Sequence, residues 1–134
     1  MSVPSSRLRA VDLRLATRVS LALLLAGSAC GGDSTAPECT AVDVSLSTSV
    51  PPLITWRPNC GVARLSATSQ VSARLFWAIS AGDRPIESGV RYGEAPLGTI
   101  EHSTPHYLFS GTQIVIQLES PLETTVGSTI WVVP

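Results

Sequence analysis

The 134-residue chain has no lysine, so all nine of its cationic side chains are arginines, set against ten acidic residues. That balance leaves no cationic surface to neutralise phosphates, which excludes nucleic acid as a partner. No apolar run approaches the roughly 20 residues that a bilayer-spanning helix requires. Cys-x-x-Cys is missing, and with it the usual spacing of a structural zinc site. Gly-x-Ser-x-Gly and a glycine-rich phosphate loop are missing as well, so neither a hydrolase elbow nor a nucleotide cradle is written in the chain. Beyond the first thirty residues no stretch has the periodicity of a long amphipathic helix. What remains is short apolar runs between turn residues, the pattern of an all-β domain.

The N-terminus is organised differently. Arg7, Arg9, Arg14 and Arg18 face a single acid, Asp12, and Val19 to Ala26 is apolar at every position but Ser20. A basic segment, a short apolar run and then small residues form a secretory signal peptide. The arginines hold back on the cytoplasmic side while the apolar run enters the membrane. Residues 1–29 are therefore read as a signal peptide, because Gly-Ser-Ala-Cys-Gly-Gly would make a poor helix interior.

Gly27, Ser28 and Ala29 precede Cys30, and this stretch resembles the lipobox of bacterial lipoproteins. In that family a cysteine directly after small residues is diacylated and becomes the new N-terminus. The resemblance implies lipidation of Cys30 and a membrane partner reached through a lipid anchor. Gly27 stands where the family usually carries an aliphatic residue. Gly27-Ser28-Ala29 equally satisfies the small-x-small rule of a general signal peptidase, which leaves soluble secretion as the alternative. Two or more acyl chains anchor stably where one holds only marginally. Gly31, rather than the aspartate that signals inner-membrane retention in enteric-type lipoproteins, implies the outer membrane. Residues 30–38 then form a flexible polar tether.

Cleavage before Cys30 leaves 105 residues, enough for one small domain, 39–134. Its five arginines and nine acids give a formal charge of −4. With Cys30 lipidated, Cys39 and Cys60 remain as a pair in an oxidising compartment, where disulfides persist. Their bridge would close a loop of about 20 residues and add roughly 3 kcal/mol in the chain-entropy model.

Within the domain, Val42, Val44 and Leu46 alternate with polar residues as a half-buried strand does. Pro51 and Pro52 mark a turn or edge before a strand at Leu53 to Trp56. Pro58, Asn59 and Gly61 end it. Val62 to Ala67 predicts the next strand, and Val71 to Ser80 carries the strongest alternation in the chain. Ala81 to Pro85 is a turn, Ile86 to Tyr92 irregular, and Gly93 to Gly98 a loop. Short strands follow at Thr99 to Ser103, Gln113 to Leu118 and Thr129 to Val133. About seven short antiparallel strands at turn-punctuated intervals predict an all-β, Greek-key β-sandwich.

"LITWRPNCGVARLSA" is similar to the second and third strands of fibronectin type III-like domains, in which Trp-x-Pro precedes a turn. "YLFSGTQIVIQL" resembles that fold's leucine, glycine turn and penultimate strand. Ile114 replaces the tyrosine usual two residues after the Gly-Thr, and the disulfide is foreign to most members. The resemblance, to this and to immunoglobulin-like sandwiches, implies a core position for Trp56, whose indole N–H needs an acceptor. It implies no activity.

The only dense polar cluster is "EHSTPH", Glu101 to His106. Pro105 breaks any helix there, and in a strand His102 and His106 lie about 13 Å apart, too far to share one ion. No metal or cofactor is expected. Either histidine with Asp83 and a serine makes a triad on paper only. Phe76 and Trp77 are consecutive and face opposite sides of one strand, so Phe76, beside Arg74, is the candidate partner contact. The reading is a non-catalytic bacterial envelope lipoprotein whose sandwich binds an envelope protein or glycan, or serves structurally. The rival is a small exported enzyme or metal-binding protein working through His102 and His106.

Overall fold

The structure, a computed structural model, describes residues 37–134. The leader, Cys30 and most of the tether lie outside the described residues. Eight strands are present, all antiparallel to their neighbours: β1 (Asp43–Leu46), β2 (Leu53–Arg57), β3 (Arg64–Ser69), β4 (Leu75–Ala81), β5 (Val90–Arg91), β6 (Thr99–Ser103), β7 (Gln113–Glu119) and β8 (Thr125–Val132). They form a three-stranded sheet in the order β1-β2-β5 and a five-stranded sheet in the order β6-β4-β3-β7-β8. The pairing of β3 with β7 across three intervening strands makes the sandwich a Greek key rather than a meander. Among the described residues no helix is long and apolar enough to cross a membrane.

Alternation decides which face of each strand is buried. Ile114, Ile116 and Leu118 of β7 are fully buried, as are Leu65 and Ala67 of β3 and Trp77 and Ile79 of β4. Ile54 and Trp56 of β2 meet them from the other sheet in the same core. Each such side chain contributes roughly 1.5–3 kcal/mol of hydrophobic stabilisation relative to exposure. Both buried indoles are satisfied, Trp56 Nε1–H donating to the Cys60 carbonyl at 2.9 Å and Trp77 Nε1–H to Glu101 Oε1 at 2.7 Å.

Cys39 and Cys60 form the expected disulfide, with Cα atoms 5.2 Å apart and a sequence separation of 21. Next to it, Cys39 N–H donates to the Gly61 carbonyl and Gly61 N–H to the Pro37 carbonyl. The start of the domain is thereby sewn to the β2–β3 connection by both covalent and backbone bonds.

Three sequence expectations need correction. Val71 to Arg74 is a turn, not strand, and β4 begins at Leu75. Ser69 N–H donates to the Arg74 carbonyl, Ala73 N–H to the Ser69 carbonyl, and Ala73 sits at φ 54°. β3 ends at Ser69, so the chain must reverse there to pair back onto it, and this outweighs the β-pattern of the residues that make the reversal. Val62 precedes β3 and instead makes an isolated bridge with Ile86. β8 starts at Thr125, four residues earlier than the alternation suggested, after a tight turn closed by Ser120 N–H to the Thr124 carbonyl.

The two sheets close along one side where β1 crosses β8. Val42 N–H donates to the Val126 carbonyl at 2.9 Å. A Cβ on Gly127 would fall 2.5 Å from Val42 Cγ2 and 2.8 Å from its carbonyl oxygen, so only glycine admits this approach.

Candidate functional site

The strand registers assign every loop but the β5–β6 connection to one of two poles. Residues 37–41, the β2–β3 connection, the 82–88 loop and the β7–β8 turn share the pole at which the chain enters the domain. The β1–β2 connection, the β3–β4 turn, Tyr92 and Gly93 after β5, and residues 104–112 share the other, while residues 94–98 run back to the entering pole, where Gly82 N–H donates to the Gly98 carbonyl. The seven residues of β4 run between the poles, a distance of about 23 Å.

The distal pole holds a groove of about 430 Å³. Val50, Pro51, Pro105, His106 and Tyr107 form its walls, and the buried Tyr92 and Leu108 its floor. Tyr92 is placed by β5, which ends one residue before it, and its ring lies 5.4 Å from that of Trp77. Its hydroxyl donates to the His106 carbonyl at 2.9 Å. Burial pushes its pKa up to about 12, so the phenol stays neutral there. Gly93 follows at φ 82°, and a Cβ there would press against the Pro105 ring at 3.3 Å. That close approach brings 92–93 and 105–106 together and shapes the groove.

His106 is held at both backbone and ring. Its N–H donates to the Phe76 carbonyl at 3.0 Å, and its ring centroid lies 5.5 Å from that of Phe76. Phe76 is thus half-buried beneath His106. Arg74 lies exposed in the β3–β4 turn at the same pole rather than beside Phe76 on a strand. The exposed aromatics are instead Tyr107 (78 %) and Phe109 (67 %), in edge-to-face contact at 4.9 Å. Both project outward because Leu108 between them points in. The sequence reading missed Phe109. Its signal was the Tyr-Leu-Phe alternation after Pro105, in which two large aromatics flank the one side chain that the core takes.

Residues 101–102 do different work. Glu101 is committed to the Trp77 indole. His102 is the extra residue of a bulge in β6 opposite Ala78 and Ile79, and its Nε2 lies 2.7 Å from Ser80 Oγ. His102 is thus anchored at Ser80 and His106 at Phe76, four residues apart on β4, a separation of about 13 Å. The structure does not bring the two histidines together. Among the described residues no three His, Cys, Asp or Glu side chains converge as a metal site. Asp83 lies beyond the end of β4, in a smaller groove of about 310 Å³ beside Glu38, Arg84 and Pro121 at the entering pole. Comparison with protein-family models, with curated proteins and with solved structures gives no match to this chain.

Proposed function

We propose that this chain is an exported, non-catalytic envelope module that holds a partner at its distal pole while its N-terminus is tethered to a membrane. The observation that carries the reading is polarity. Tyr107 and Phe109 lie exposed beside an apolar groove, at the opposite end of the strands from the pole where the chain enters. Large aromatics that stay in water cost solvation unless a partner covers them, and they are the residue types that dominate binding hot spots. An anchor on Cys30 and a tether over 30–38 would present this pole outward, toward an envelope protein or glycan. The arginine-rich leader and the small residues before Cys30 support export and lipidation, with the outer membrane as destination. The grouping of β1, β2 and β5 against β4, β3, β7 and β8 supports the likeness to fibronectin type III-like domains, with β6 as an added edge strand.

Two measurements test the reading. Intact-mass analysis of the membrane-extracted protein should show a chain beginning at an acylated Cys30, and an unmodified cysteine would remove the anchor. A photo-crosslinker placed at Phe109 in the native envelope should capture a discrete partner that the same probe at Leu122, exposed at the other pole, does not. Equal capture at both positions would remove the binding pole.

A second reading rests on the contact of Ser80 with His102, a nucleophile beside a base and the only such pair among the described residues. An exported hydrolase or metal protein using this strand and the His106 loop would lose activity or bound metal when both histidines become alanine.

A further inference from the structure

A sandwich of two open sheets has four edge strands, and an edge exposes backbone groups that template pairing with another chain unless the strand is blunted. Three of the four edges here are blunted. β5 is two residues long. β1 is four residues long, carries Asp43, and its preceding residue is already bonded to β8. β6 carries Glu101 and His102, is bulged between them and its partner strand, and runs into Pro105. β8 is the exception. With eight residues it is the longest strand described, and its sequence, TVGSTIWV, has neither charge nor proline.

Its backbone directions follow from its last bonds. Gly111 N–H donates to the Val133 carbonyl and Val133 N–H to the Thr112 carbonyl, so odd-numbered residues bond on the β7 side. In an antiparallel ladder the alternate residues then face the other way. Val126 obeys this, its carbonyl turning outward to Val42 N–H. Ser128, Ile130 and Val132 therefore aim three N–H and three C=O groups at the open edge, and none of these six has a partner among the described residues. Ile130 and Val132 are also about half exposed, at 55 % and 52 %.

We propose that β8 is a homodimer edge: a second copy of this chain pairs with it antiparallel, on a two-fold axis through Ile130. The pairing sets Ile130 against Ile130 of the second copy and Ser128 against Val132. All six outward groups then find partners, giving six inter-chain backbone bonds. The next pair in this register would be Val126 with Pro134, where the Val126 carbonyl is already engaged and proline has no N–H to give. The ladder thus ends at both sides of the axis for reasons built into the chain. Residues 125–134 contain no charge, so the two-fold opposes no like charges, as an isologous interface requires. On the outward face Ile130 meets its copy, extended by Val115, its cross-strand neighbour on β7. The two five-stranded sheets become one of ten. This inference does not depend on the anchor or on the distal groove.

The test is the mass of the exported protein, purified in nonionic detergent, over a concentration series by sedimentation and light scattering. The expected result is a reversible dimer. Ile130→Lys places two ammonium groups across the axis and should raise the dissociation constant at least tenfold. Ile100→Lys, at an equally exposed isoleucine on β6 (54 %), should leave it unchanged. Amide exchange on the unaltered protein keeps the test decisive if Ile130→Lys does not fold. The amides of Ser128, Ile130 and Val132 should slow as concentration rises. A monomer at every concentration with these amides fast would overturn the proposal. So would a dimer indifferent to Ile130→Lys, or one equally weakened by Ile100→Lys. Protection that arises only on adding envelope extract would assign the edge to a strand of another protein and overturn the second copy.

Discussion

Two residues show how single side chains are fixed by what they must satisfy. The Trp77 indole is buried, and its N–H has one acceptor, Glu101 Oε1, delivered by the neighbouring strand. Losing that acceptor leaves a buried donor unpaired. Glu101→Ala is therefore expected to destabilise the domain by about 1–3 kcal/mol, measured as a shift in urea midpoint at constant slope. Glu101→Gln keeps a carbonyl oxygen in reach and should cost less than half as much. Ala73 presents the opposite case. It holds φ 54° in the β3–β4 turn, a conformation that costs a side-chain-bearing residue roughly 1–2 kcal/mol. Glycine adopts it freely, at an entropic cost of roughly 0.5–1 kcal/mol. Ala73→Gly should thus leave stability unchanged or raise it by up to about 1 kcal/mol, whereas the same substitution at Ala67, buried within β3, should lower it. Thermal melts of the two variants separate the outcomes.

At the scale of elements, alternation and punctuation made most of the sandwich legible in advance. Ile114, Ile116 and Leu118 repeat every second residue, and a period of two allows one face only; all three are fully buried. β6 lies at Thr99–Ser103 as expected, between Gly98 and Pro105. The misreadings share one cause. Val71 to Arg74 carries the right residue types for a strand, but whether they extend β4 depends on where β3 stops, and β3 lies elsewhere in the chain. Likewise Thr125 to Ser128 extend β8 only because Glu119, Leu118 and Gln117 lie opposite. The disulfide is an element-scale staple as well, since it joins the domain's first described residues to the end of β2. Reducing it, or replacing Cys60 with serine, should cost about 3 kcal/mol for a loop of this length. The check is a denaturation curve with and without reductant, and an unchanged midpoint would mean that the backbone bonds at Gly61 suffice alone.

For the whole molecule, the arrangement separates two poles with different chemistry. The entering pole carries the disulfide and the smaller groove at Glu38 and Asp83. The distal pole carries Tyr107, Phe109 and the groove floored by Tyr92. Tyr92 ties the distal pole to the core, and its pH response reads the stability of the whole fold. Burial raises its pKa to about 12, against about 10 in the unfolded chain. Above pH 10 the unfolded state gives up the phenolic proton while the folded state keeps it, so unfolding gains. Stability should hold below pH 10 and fall between pH 10 and 12, at roughly 1 kcal/mol per unit. Tyr92→Phe should flatten that fall, as followed by chemical denaturation at stepped pH. By itself, the sequence determined the all-β class, most strand positions and the Cys39–Cys60 pair. These depend on local periodicity and on counting. Tertiary structure alone decided that Phe76 lies beneath His106, that Tyr107 and Phe109 face solvent, and that β8 is left as an open edge. Those outcomes depend on which strands become neighbours, and that follows from the simultaneous burial of two sheet faces rather than from any short stretch of residues.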